Sequence, residues 1–386
     1  MKNYGEICTK AFFIMKAILK IILESMKWIF ILLVILFALA TLMGHSYLQT
    51  TVLVLLALAL AWWPRYLKQH WSRRENLVFR LILIIVLLGS NFIFFRPGPK
   101  TSIYISDELR DDLMKEYDER VGTWPAGTED IYIDTDFGKV HVLACGSEEN
   151  PPLVMIHAAS MGAHSWAENL APLSDHYRIY SVDNIGEGNK SQLDNAMVYP
   201  ETEQQIADHF AQIMDSLGIR RSPLFGASNG GFIAQCFAYH YPERVESLAL
   251  FGPMGLTPLT GKSFMMLSVA TMYPFQFVRD GVTRWALGES DAVIEPYGEW
   301  FNLIMRGTIP SVARPVPMND EQKIQISMPV LLFLGTEDPI VGNAEIASEA
   351  ARKYPDVRVE IMKSGHLIAV EQAERVNNIV SEFLGI

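Results

Sequence analysis

From Ile131 to the end of the chain, short strand-like runs alternate with segments of helical periodicity. This alternation limits the fold more than any other feature. "IYIDTDFGKVHVLAC" switches between apolar and polar residues on both sides of "DFGK", the pattern of an antiparallel hairpin. "PPLVMIHA", "YRIYSVD", "SPLFGA", "VESLALFGP", "MPVLLFLG" and "VRVEIMKS" follow as strands. Between them fall helices: one around Trp166–Leu173, "ETEQQIADHFAQIMDSLG" with Thr202 as cap and Gly218 at its end, one within "GGFIAQCFAYHYPERV", "AEIASEAARKYP", and the terminal "LIAVEQAERVNNIVSEFLG". Strands that alternate with helices predict an α/β fold, a mostly parallel sheet covered by helices on both faces. Ligands of such sheets bind at the carboxyl ends of the strands. Chemistry is therefore expected at His157–Gly162, Asp183–Gly188, Ser228, Gly252–Met254, Asp338 and His366.

One segment breaks the rhythm. Residues 254–327 lie between two strands, too far apart for a simple crossover. They carry Trp285, Tyr297, Trp300 and six methionines, and predict a helical cap inserted over the strand ends.

The first hundred residues have a different character. They hold 12 Lys+Arg and 3 acids, a net +9 within a chain of net −11, so residues 101–386 carry −20. An acidic body excludes nucleic acid as a partner, since that needs a positive surface. Three apolar runs, Trp28–Met43, Tyr47–Trp63 and Leu77–Phe95, have the length and the flanking aromatic residues of about three transmembrane helices. Five lysines precede the first run, the first link is uncharged, and the second carries Arg65, Lys68, Arg73 and Arg74. The positive-inside rule then gives in–out–in–out, with the acidic body on the extracytoplasmic side of the bilayer. A signal peptide cleaved near Ala38–Ala40 is the rival reading, and it too leaves the body outside. The expected organisation is a cytoplasmic amphipathic tail (1–27), a three-helix membrane region (28–96), a linker and lead-in (97–130), and a catalytic domain (131–386) with its cap (254–327). Cys8, Cys145 and Cys236 are too few for a disulfide framework, and no Cys/His spacing suggests a metal site.

Within the body, "LFGASNGGF" places Ser228 between Gly226 and Gly230 at a strand-to-helix turn. A serine held exposed on so sharp a turn needs small neighbours, the requirement of a nucleophile elbow. A serine hydroxyl also needs a base. His366 follows the last strand and opens the final helix, and the other eight histidines fit that position less well. The base needs a carboxylate to fix its tautomer. Asp338 closes "LFLGTED" and is preferred to Glu337, which is expected to face solvent. The order Ser228, Asp338, His366 is that of an elbow hydrolase.

"IHAASMGAHSW", "YRIYSVDNIGEGNKS", "LFGASNGGFIAQCFAYHYPERVESLALFGPMG", "LLFLGTEDPIV" and "SGHLIAVEQAERVNNIVSEFL" together resemble the α/β-hydrolase superfamily over residues 104–386. The resemblance implies an oxyanion hole made by the backbone N–H groups of Ala159 and Asn229, with Asp183 as an organiser of its loop. The family often has His-Gly where this chain has His157-Ala158, which puts a Cβ where the oxyanion loop turns. The function implied is a serine hydrolase of carboxylesterase or lipase type (EC 3.1.1). It would cleave a lipophilic or lipid-like ester at a membrane, through an acyl-enzyme, with no metal or organic cofactor. A ligand sensor that keeps the fold but turns over slowly is the alternative. Oligomeric state is not encoded.

Overall fold

A computed structural model describes residues 102–263, 266, 276–288 and 290–386. The amphipathic tail and the three apolar runs lie outside the described residues. Among the described residues, no helix is long and apolar enough to cross a membrane. Gly98–Ile386 forms one compact unit.

Nine strands make one sheet among these residues. β1 (Glu129–Thr135) and β2 (Gly138–Cys145) form the predicted hairpin. β3 (Pro152–Ile156), β4 (Arg178–Val182), the two-residue β5 (Gln192–Leu193), β6 (Ser222–Ala227), β7 (Val245–Phe251), β8 (Val330–Gly335) and β9 (Val357–Met362) follow. The order is β1-β2-β4-β3-β6-β7-β8-β9, with β5 paired to β2. β2 meets β4 antiparallel, and every pairing from β4 through β3 and β6 to β9 is parallel.

The central strands are apolar throughout because both faces are covered. Their period of two sorts residues between two cores. Phe225, Phe251 and Phe333 enter the core shared with Trp166, Tyr117 and Trp300. Leu224, Leu250 and Leu332 enter the other, with Phe210 and Phe237. Phe251 and Phe333 stack at 5.0 Å, so neighbouring strands also hold register through their rings.

Helix α1 (Asp107–Val121) lies in the stretch expected to be linker and lead-in, and it buries Leu113 and Tyr117 in the first core. α2 (Glu203–Ser216) starts at a capping box of Thr202 and Gln205, satisfying amides that would otherwise lack partners. α3 (Asn229–His240) follows β6 directly. The helix expected around Trp166–Leu173 is instead a 3₁₀ turn, Ala163–Asn169. Trp124 Nε1 donates to the His164 carbonyl at 3.1 Å, tying this turn to the segment after α1. The terminal helix is broken at Gln372 into Ile368–Glu371 and Ala373–Leu384. There, Asn169 Nδ2 donates to the Ala369 carbonyl at 3.0 Å, tying the break to the 3₁₀ turn.

Between β7 and β8 the chain forms the expected helical insertion, including α4 (Gln276–Leu287) and α5 (Asp291–Gly307). Val293, Tyr297, Trp300 and Ile304 recur at helical spacing, and all are buried against the body.

Candidate active site

β6 runs into α3 through a single residue, Ser228, whose φ is +48° and ψ −114°. A side chain rarely adopts that conformation without compensation. Here the turn is held on both sides: Ser228 N–H donates to the Phe251 carbonyl, and the Ser228 carbonyl accepts from Met254 N–H, both at 2.9 Å. The glycines leave no choice of residue. A Cβ on Gly226 would lie 2.6 Å from the Gly230 carbonyl oxygen, and one on Gly230 would lie 2.3 Å from that of Ile156.

The Ser228 hydroxyl is 2.8 Å from His366 Nε2. His366 Nδ1 is 2.8 Å from Asp338 Oδ2. The other carboxylate oxygen, Oδ1, accepts from the amides of Ile340 and Val341 at 2.8 and 3.0 Å, so the turn after β8 aims it. Glu337 is exposed, as expected. The loop before His366 is fixed by Glu371, whose Oε2 accepts from Gly365 N–H and Ser364 Oγ. All three relay residues are buried. An Nδ1–H held by Asp338 leaves Nε2 free to accept the serine proton.

Ala159 lies in the loop after β3, and Asn229, directly after Ser228, is the first residue of α3. Among the described residues, neither N–H is taken by another group. The left-handed position in the loop after β3 is Ser160, with φ +63°, rather than Ala158. The Cβ that replaces the family's glycine is thereby accommodated. Ser160 is clasped at both ends: its carbonyl accepts from Trp300 Nε1 of the cap at 3.0 Å, and its N–H donates to Glu187 Oε2 at 2.6 Å. An apolar recess of ≈ 20 Å³, lined by Met161, Trp166, Phe251, Leu367 and Val370, opens on Ser228 and His366.

Sequence comparison supplies the relatives. A family model described as the α/β hydrolase fold matches residues 151–280. An uncharacterized carboxylesterase, nap, of Bacillus subtilis strain 168 is 31% identical over 302 residues, spanning 72% of this chain and 94% of that protein. Carboxylesterase YbfK of the same organism is 31% identical over 285 residues, 70% of this chain and 93% of its own length. The chain belongs to the α/β hydrolase family. Among solved structures, naproxen esterase from Bacillus subtilis superposes on this α/β hydrolase with a TM-score of 0.67 at 29% identity, over 72% of this chain and 99% of that one.

Asp183 organises the hydrolase's loops as the resemblance implied. Its Oδ1 accepts from Ala163 N–H at 2.7 Å; its Oδ2 accepts from the Tyr117 hydroxyl and His141 Nδ1 at 2.9 and 2.8 Å. Burial works to raise this carboxyl, but the hydrogen bond and charge of His141 outweigh it, and the group sits below the usual carboxylate range. His157 donates from Nδ1 to the Ala158 carbonyl and accepts from Asn184 N–H at Nε2, so this α/β hydrolase holds it as a neutral strut, lowered by burial.

Cys145 and Cys236 are buried and free, with thiols pushed up by burial, consistent with small packing residues. Among the described residues, no cluster of His, Cys, Asp or Glu could hold a metal ion. Trp300 and Glu187 were not singled out from the sequence. Trp300 reads as one of many cap aromatics. Glu187 leaves one faint signal, an acid between two glycines in a loop where the strand pattern expects burial.

Proposed function

We propose that this α/β hydrolase is a membrane-attached carboxylesterase acting on lipophilic acyl esters through Ser228, His366 and Asp338. The observation that carries the reading is the continuous hydrogen-bonded line from Ser228 Oγ through both His366 nitrogens to Asp338. The backbone amides of Ala159 and Asn229, without partners among the described residues, support it.

Ser228 Oγ attacks the acyl carbonyl as His366 Nε2 takes its proton. The Ala159 and Asn229 N–H groups receive the oxyanion, each donor being worth about 3–4 kcal/mol in known serine hydrolases. The tetrahedral intermediate collapses, His366 returns the proton to the leaving alcohol, and Ser228 is left acylated. Water, deprotonated by His366, attacks the acyl group and releases the acid. Asp338 stabilises the imidazolium in both halves.

The mostly apolar lining of the small recess beside Ser228 supports an apolar group on the substrate. The printed names of the two Bacillus relatives support ester chemistry. Attachment to a bilayer, with the hydrolase on the extracytoplasmic side, rests on the three apolar runs and the charges of their links. Hydrolysis of p-nitrophenyl esters of graded chain length by the full chain, with and without Ser228→Ala, tests the activity. Wild-type turnover in the variant ends the proposal. Protease accessibility of the body in sealed cells against inverted vesicles tests the sidedness.

A further inference from the structure

Glu187 sits in the loop after β4, between Gly186 and Gly188, and is 1% exposed. A carboxyl so deeply buried ordinarily faces a cation. Among the described residues, this one does not. From its own loop it meets the Asn184 side-chain amide, with the Asp183 carboxylate beyond. From the oxyanion loop it meets the Ser160 N–H, and from α3 the Asn229 side chain. The nearby His157 is neutral and directed elsewhere.

The two partners that come from other elements are one residue past Ala159 and Asn229 itself. They belong to the two segments that carry the oxyanion amides. The Asn229 side-chain amide donates to the Glu187 carboxyl, and among the described residues its Oδ1 is buried with no hydrogen-bond partner. Burial, reinforced by the charge of Asp183, pushes the Glu187 carboxyl up to about 8, against the opposing hydrogen bonds from Ser160, Asn184 and Asn229.

We propose that Glu187 is a positioning residue for the oxyanion site, tying the loop after β3 to the start of α3 through Ser160 N–H and the Asn229 side chain. The proposal rests on the assignment of Ala159 and Asn229 as oxyanion donors. In its proton-bearing form, Glu187 holds both segments and places no net charge near the developing oxyanion. When the proton leaves as pH rises through about 8, a buried anion stands beside a second forming anion, and the reaction slows.

The test is the pH profile of kcat for p-nitrophenyl ester hydrolysis by the full chain and its Glu187→Gln and Glu187→Ala variants. Wild type is expected to lose kcat above about pH 8. Glu187→Gln keeps an uncharged hydrogen-bonding group and should hold its plateau to higher pH, with near wild-type kcat at pH 7. Glu187→Ala cuts the tie and should lower kcat by roughly 10–100-fold with KM within about twofold, less than removal of a whole oxyanion donor. An alkaline fall retained unchanged in Glu187→Gln overturns the proposal, as does wild-type kcat in Glu187→Ala. If the alanine variant does not fold, the glutamine profile decides alone. Activity surviving in Ser228→Ala would mark the failure of the underlying site assignment instead.

Discussion

His366 Nε2 stands 2.8 Å from Ser228 Oγ although 138 positions of sequence separate the two residues. They follow β6 and β9, with β7 and β8 lying between those strands in the sheet. Asp338, after β8, fills the interval and fixes the ring. Asp338→Asn keeps the size of the side chain but can hold His366 in the wrong tautomer. It should lower kcat by about 10⁴-fold with little change in KM. The melting temperature should move far less than kcat. A loss under tenfold in steady-state kinetics would show that the carboxylate does not serve the imidazole.

The elbow glycines should be intolerant for a purely steric reason. In Gly230→Ala the new Cβ meets the Ile156 carbonyl oxygen at 2.3 Å, and backbone atoms cannot swing away. A loss of at least about 1–3 kcal/mol of unfolding free energy is expected. Gly281→Ala is the counter-case. It lies inside α4 with nothing within 4 Å of the new carbon, and should gain up to about 1 kcal/mol. Urea denaturation of the pair measures both signs.

Trp166 lines the recess beside Ser228 and packs 5.4 Å from Phe251. Trp166→Phe should lengthen the space for an acyl chain. Each further methylene buried is worth about 0.8 kcal/mol, or about fourfold in kcat/KM. The preferred p-nitrophenyl ester should therefore shift to a longer chain. An unchanged preference would place the acyl group elsewhere.

Burial holds His209 neutral, its pKa lowered to about 4 in the folded chain. Once unfolded it binds a proton near its ordinary value, so below that value the unfolded state holds more protons and stability rises with pH. The contribution is lost as pH falls from the ordinary histidine range towards about 4. Glu187 works in the opposite sense, because its folded pKa is raised. A difference between variants is therefore the proper readout. The unfolding free energy of wild type minus that of His209→Leu should increase by about 1–2 kcal/mol from pH 5 to pH 7. A flat difference would mean that His209 is protonated in the fold.

The strands were legible in the sequence because their apolar runs were short, and turn residues bounded them. The meeting of Ser228, Asp338 and His366 was legible because each was expected just after a strand of one sheet, and few polar candidates occupied those positions. Two helices were misjudged where side chains from elsewhere in the chain, Trp124 and Asn169, bond to their carbonyls. Nothing local encodes such a contact. Trp300 was only one of several cap aromatics and Glu187 only one position in a loop marked as a whole, because each meets Ser160 from a distant part of the chain and spacing along the sequence does not specify that meeting.

The hydrogen bond from Trp300 to the Ser160 carbonyl ties α5 to the positive-φ residue beside Ala159. Ser160 therefore answers to two distant segments at once, the insertion through its carbonyl and the loop after β4 through its amide. A substitution in α5 that displaces the indole would be felt in the loop after β3 even though α5 contributes no residue to the recess at Ser228.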